Sequence, residues 1–188
     1  MFDRGGRAQR TITRTFRLRK EWDDVLLEEA ERQGVSVNVL ANKILRRYAL
    51  FTRWADKGGV MSLTKGMFQA ILNELSDERL ARAGTASGPS DVVYTLNMMG
   101  RPVNYDSFVY LLSEYFGGRD FCRWFTCFHH IQRGENVFHL QHNLGRGWSV
   151  YLENYFLSSL RPLIKGDVES KIYDFAVNLK VASSHFKG

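Results

Sequence analysis

Thr13-Arg14-Thr15-Phe16-Arg17-Leu18-Arg19 alternates at period two. Phe16 and Leu18 fall on one face of an extended chain, and Thr13, Thr15, Arg17 and Arg19 on the other. One short amphipathic strand is unstable alone, because its backbone edge and its apolar face both lie open. It needs a partner strand, and the adjoining sequence offers none.

Two helices follow instead. The first is expected from about Glu21 to Gln33, with Trp22, Val25, Leu26 and Ala30 as its apolar stripe. Glu21, Asp23 and Asp24 stand in its first turn, where the helix dipole favours acids, and Gly34 ends it. Ser36 or Asn38 caps a second helix that runs through Leu40, Ile44, Leu45, Tyr48 and Phe51 to about Ala55. Gly58-Gly59 is a stop and a candidate linker.

Charge points in one direction. Residues 1–20 hold seven basic side chains against the single acid Asp3, so this stretch carries the whole formal charge of +6 and the other 168 residues are neutral in sum. A cationic arm on a neutral body suits a polyanion. The composition, 44% hydrophobic and 24% charged, excludes wholesale disorder. No apolar run has the length of a bilayer span, and the arginine-rich start lacks an apolar signal segment. With Cys122 and Cys127 five apart in poor disulfide geometry, a reducing, cytoplasmic and nucleoid-associated location is expected.

Strand, helix, Gly34-Val35-Ser36-Val37-Asn38 turn and longer helix resemble the ribbon-helix-helix family of DNA-binding proteins over about residues 13–54. Thr15-Phe16-Arg17-Leu18-Arg19, the stripe Val25/Leu26/Ala30 and the pair Leu40/Ile44 carry the resemblance. In that family two chains pair their strands antiparallel, and the ribbon enters the major groove. The resemblance thus implies a homodimer on double-stranded DNA, with Thr13, Thr15, Arg17 and Arg19 at base edges. It implies phosphate contacts at the start of the second helix, from Ser36, Val37 and Asn38. Arg7, Arg10 and Arg14 would add backbone contacts or reach a neighbouring minor groove. Lys20-Glu21 departs from the proline with which many members begin the first helix.

Beyond Gly59 the pattern changes. Val60–Leu63 is expected as a short strand, and Thr64 as the cap of a helix through Leu75. Ser76 or Asp77 would cap a short helix to about Ala83, with Gly84–Ser90 a loop containing Pro89 and a further helix over Asp91–Met99. A helix from Asn104 or Asp106 ends at Gly117-Gly118. Trp124–Gln132 and Val137–Asn143 form a hairpin, Trp148–Leu160 a helix, and about 170–181 a single last strand. The expected fold class is α+β: a basic arm at 1–12, a ribbon-helix-helix unit at 13–57, and an α+β assembly or sensor domain at 60–188.

Four of the five histidines fall in the hairpin region. If Gly134-Glu135 form the turn, His130 faces His139 and Cys127 faces His142, so these pairs are candidate metal ligands, although no recognised zinc spacing is present. No Walker loop, nucleophile elbow or His-Glu-x-x-His helix occurs, and no enzymatic role is expected. The expected function is sequence-specific transcription regulation without a resident cofactor, with further assembly of the dimer through the C-terminal domain. The alternatives are a chromatin-associated or antitoxin-like protein that binds a protein partner, and a regulator that senses a metal or small-molecule effector.

Overall fold

The computed structural model describes residues 11–58, 60–118, 122–164 and 168–182. They fall into two compact units that divide between Leu45 and Arg46.

In the first unit, residues 11–19 form neither helix nor strand, and Arg19 has extended backbone angles. Among the described residues no segment pairs with 13–19, so the ladder that would define the expected strand is not present there. Helix α1 is Lys20–Arg32 and α2 is Val37–Arg47. Their junction follows from Gly34 at φ 64°: Val35 N–H donates to Ala30 O at 3.0 Å and Gly34 N–H to Glu31 O at 2.9 Å. These two bonds satisfy carbonyls that the helix end would leave open, and the left-handed residue between them favours glycine. Ser36 caps α2, its Oγ accepting from Val39 N–H at 3.3 Å.

The second unit begins in the last turn of α2, continues as a π-helical turn over Tyr48–Thr52, and then as α3, Arg53–Lys57. Residues 60–63 form no strand. Thr64 caps α4, Lys65–Asn73, and Ser76 caps α5, Asp77–Met98, each accepting from the backbone N–H three residues on. Asn104 caps α6, Tyr105–Tyr110, which runs into a second π-helical turn over Leu111–Phe116.

α5 corrects the expected loop at Gly84–Ser90, because one 22-residue helix passes straight through it. The small residues there serve an interhelical contact. A Cβ on Gly84 would stand 2.5 Å from Tyr151 O, and one on Gly88 2.2 Å from Tyr155 O, both in α7, Arg146–Leu160. Pro89 removes one intrahelical hydrogen bond, which breaks a helix standing alone. Here the contact with α7 holds the turn helical. α7 itself buries Trp148, Val150, Leu152, Tyr155, Phe156 and Leu160, so it is apolar around most of its circumference, as a central helix must be.

The sheet has four antiparallel strands in the order β1-β2-β4-β3. They are β1 Thr126–Gln132, β2 Glu135–Gln141, β3 Val168–Tyr173 and β4 Ala176–Ala182. The α+β class with an antiparallel sheet is therefore present. The single last strand expected over 170–181 is instead a hairpin that turns at Asp174-Phe175. The turn sets Ile172 opposite Val177 and so changes which residues face inward, but Tyr173 and Phe175, both exposed, continue the apolar spacing of Val177 and Leu179 in the sequence and conceal the break. One face of the sheet sends Phe138, Leu140, Val177, Leu179 and Val181 into the core beside Phe108, Leu111 and Phe156.

The first hairpin corrects the expected register. Its turn is Arg133-Gly134, with φ of 52° and 79°, and Gln132 pairs with Glu135. Positive φ at both central residues is the twist that a two-residue hairpin prefers. Consequently His130 faces Val137 and Cys127 faces Leu140, where His139 and His142 were expected.

Candidate nucleic-acid interface

Thr13, Thr15, Arg17 and Arg19 lie on the segment that precedes α1, and all four are exposed. Arg19 is also the residue before α1. Its guanidinium stands 5.2 Å from the centroid of the Trp22 ring, and Nη1 lies 3.7 Å from Glu21 Oε1. Both neighbours are exposed, so little holds Arg19 back from a phosphate or base edge. Arg14 donates to the adjacent Thr13 carbonyl at a long 3.5 Å. Arg7 and Arg10 lie outside the described residues.

Ser36, Val37 and Asn38 make the N-terminal turn of α2. The first backbone amides of any helix have no intrahelical acceptor and carry the positive end of its dipole. Gly34 and the Ser36 cap fix where that turn begins. In the same unit Lys43 Nζ reaches Gln33 Oε1 at 3.3 Å across the α1–α2 junction.

The apolar side chains of this unit are poorly covered. Ala30 and Leu40 are buried, at 3% and 5% exposure, with Leu26, Val35, Val37 and Ala41 half-buried around them. Phe16 remains 66% exposed, and Leu18, Trp22, Val25, Val39, Ile44 and Leu45 are likewise open. A helical pair that leaves so many large hydrophobic side chains in water has half of a core.

In the second unit the hairpin histidines have partners of their own. His129 Nε2 lies 2.8 Å from Asn136 Oδ1, with its ring stacked on Phe138 at 4.4 Å between centroids. His139 Nδ1 lies 2.9 Å from Asn178 Oδ1. His130 and His139 sit diagonally on one face, their rings stacked at 5.3 Å. Burial pushes the Cys127 thiol up to about 12, which favours the neutral form over the thiolate that a metal needs. Among the described residues no three His, Cys, Asp or Glu side chains gather as a ligand set. The expected metal candidates His130, His139, Cys127 and His142 are thus spread over two faces of the sheet and its end.

His142 serves another purpose. Leu144 N–H donates to its Nδ1 at 3.3 Å, so Nε2 carries the proton and donates to Ser149 Oγ at 2.9 Å. The Ser149 hydroxyl in turn donates to Tyr173 O at 2.6 Å. This chain of bonds ties the end of β2, the first turn of α7 and the β3–β4 turn together. Burial holds the imidazole neutral, pushed down to about 4.

A cavity of about 1400 Å³ opens beside this clasp. Phe51, Phe68, Leu72, Trp124 and Trp148 supply apolar walls, and Arg47, Arg123 and Lys65 supply cations. Sequence reading missed it, because its lining comes from segments that begin at Arg47 and end at Phe175, with no local spacing to betray it.

Among the described residues no helix is long and apolar enough to cross a membrane. No protein-family model, curated protein or solved structure matches this chain.

Proposed function

We propose that the chain is a sequence-specific double-stranded DNA-binding transcription regulator of the ribbon-helix-helix type, cytoplasmic and nucleoid-associated, with no catalytic role. Two copies would pair residues 13–19 as an antiparallel ribbon that enters the major groove. Thr13, Thr15, Arg17 and Arg19 then face base edges. Ser36, Val37 and Asn38 hold a phosphate, joined by Arg7, Arg10 and Arg14 from the arm.

The half-built core of residues 11–45 carries this reading. Phe16 and Leu18, two apart in the sequence, are exposed on a segment that no described residue pairs, while Trp22, Val25, Ile44 and Leu45 stand open on the helices. Full burial of each large apolar side chain contributes about 1.5–3 kcal/mol, so a second copy that covers this surface has ample driving force. The same pairing gives the open strand its missing ladder, and it places two cationic arms on one duplex.

The test is selection of bound DNA from a random library at two salt concentrations. An enriched pseudo-palindrome or direct repeat is expected, with affinity falling steeply as salt rises, because each phosphate contact releases counterions. Salt-sensitive binding without an enriched motif would remove the base-reading assignment and leave an architectural binder.

A second reading, regulation by a small-molecule effector, is favoured by the cavity. Aromatic walls with three cations, Arg47, Lys65 and Arg123, against one acid, Asp56, in the lining suit an apolar molecule with an anionic group. Such an effector would change the affinity for DNA only by binding two states of the protein unequally.

A further inference from the structure

The two edges of the sheet differ in chemistry. β3, Val168–Tyr173, carries Glu169 and Lys171, charges of the kind that protect a free edge from pairing. β1 reads Thr-Cys-Phe-His-His-Ile-Gln and has no acid, lysine, arginine or proline. Its register with β2 is continuous over seven pairs, so no bulge turns the edge aside. From Phe128 to Gln132 every residue is exposed, with Phe128 at 53% and Ile131 at 69%. Among the described residues no other backbone segment bonds its outer side.

We infer that β1 is an interface with a second copy of this chain, the two β1 strands pairing antiparallel to join two four-stranded sheets into one of eight. The strand itself argues for its own copy. Seven residues centred on His129 pair completely when His129 lies opposite His129 of the second copy. In that register Phe128 meets His130, Cys127 meets Ile131 and Thr126 meets Gln132. Residues directly opposite in an antiparallel pair share a face, so the core faces of both sheets stay on one side. An uncharged strand also lacks the like-charge repulsion that self-pairing otherwise meets. The two exposed hydrophobic side chains each gain a neighbour, Phe128 an imidazole and Ile131 a half-buried thiol.

This inference stands on the sheet alone and does not depend on the N-terminal ribbon. Sedimentation equilibrium of the full chain tests it, comparing the wild type with Phe128→Lys/Ile131→Lys and with Phe16→Asp/Leu18→Asp. The β1 pair is expected to lose one doubling of mass. If both interfaces join the same two chains, it weakens the dimer at least tenfold instead. The N-terminal pair should keep the β1 step. A β1 variant with the mass and association constant of the wild type overturns the inference. An N-terminal variant that leaves mass unchanged counts against the ribbon only.

Amide hydrogen exchange on the wild type removes any dependence on how the variants fold. Residues 126–132 are expected to be protected like the central strand β2 and more strongly than β3. Exchange of β1 as fast as that of β3 overturns the inference, as does protection that appears only with a different copurifying chain.

Discussion

His142 Nε2 donates to Ser149 Oγ across 2.9 Å, and the pair joins the end of the first hairpin to the start of α7. The bond directions run one way, from Leu144 N–H through the imidazole and the hydroxyl to Tyr173 O. A second proton on the ring would place Nδ1–H against Leu144 N–H. Burial and this geometry therefore both oppose the imidazolium.

A pH dependence follows. The folded-state value, about 4, lies below the ordinary 6.5, so the unfolded chain binds the extra proton first as pH falls. Stability from this group is complete above about pH 6.5 and is lost as pH falls toward 4. The site is only half-buried and solvent screens part of the effect, which leaves a loss on the order of 1–2 kcal/mol. Urea unfolding of the wild type and His142→Gln between pH 4 and 7 checks it. The difference between the two proteins should shrink as pH falls.

The α5–α7 contact predicts opposite outcomes for two glycines. Gly66 in α4 has nothing within 4 Å of where an added methyl would stand, so Gly66→Ala should stabilise by about 0.5–1 kcal/mol through helix propensity. Gly88→Ala places a methyl 2.2 Å from Tyr155 O, and helix separation should outweigh that gain with a net loss of about 2 kcal/mol. Thermal or urea unfolding distinguishes the signs.

Arg133 holds φ 52° in the first hairpin turn, a region that L side chains other than Asn and Asp disfavour. Arg133→Asn is expected to raise stability by about 0.5–1 kcal/mol with β1–β2 register unchanged. A lower midpoint in urea would count against a turn with two left-handed residues.

For the N-terminal unit, Arg17→Ala should lose about 1–3 kcal/mol of discrimination at one base position. Asn38→Ala is expected to weaken binding evenly across sequences. Competition binding against single-base variants of the selected site separates the two, and an unchanged preference in Arg17→Ala would end its assignment to base reading.

Helix starts are legible in the sequence because capping is local chemistry. Ser36, Thr64, Ser76 and Asn104 all stand where a cap is expected, and each accepts from the N–H three residues on. Gly34 is legible for the same reason. Gly84–Ser90 is not, since small residues make a loop or a close helix crossing according to what stands opposite, and Tyr151 and Tyr155 are more than sixty residues away. The turn at Asp174-Phe175 escapes because the exposed Tyr173 and Phe175 carry on the apolar spacing of Val177 and Leu179, although the inward face changes phase there. The β1–β2 register escapes because Arg133 takes a conformation that its residue type does not advertise. The cavity has no sequence signal at all, and the proposed base-reading role of Thr13, Thr15, Arg17 and Arg19 rests on periodicity and family resemblance alone.

Strand order has a consequence for how the second unit is made. β4, Ala176–Ala182, lies between β2 and β3, so the strand latest in the described sequence occupies the interior of the sheet. During synthesis β2 emerges with one long edge unmatched, and Phe138 and Leu140 have no Leu179 or Val177 beside them until residue 182 has cleared the ribosome. Closure of this core therefore waits for β4, whatever has formed before it. A ribosome stalled a few codons short of Ala182 would leave a sticky intermediate for chaperones to hold.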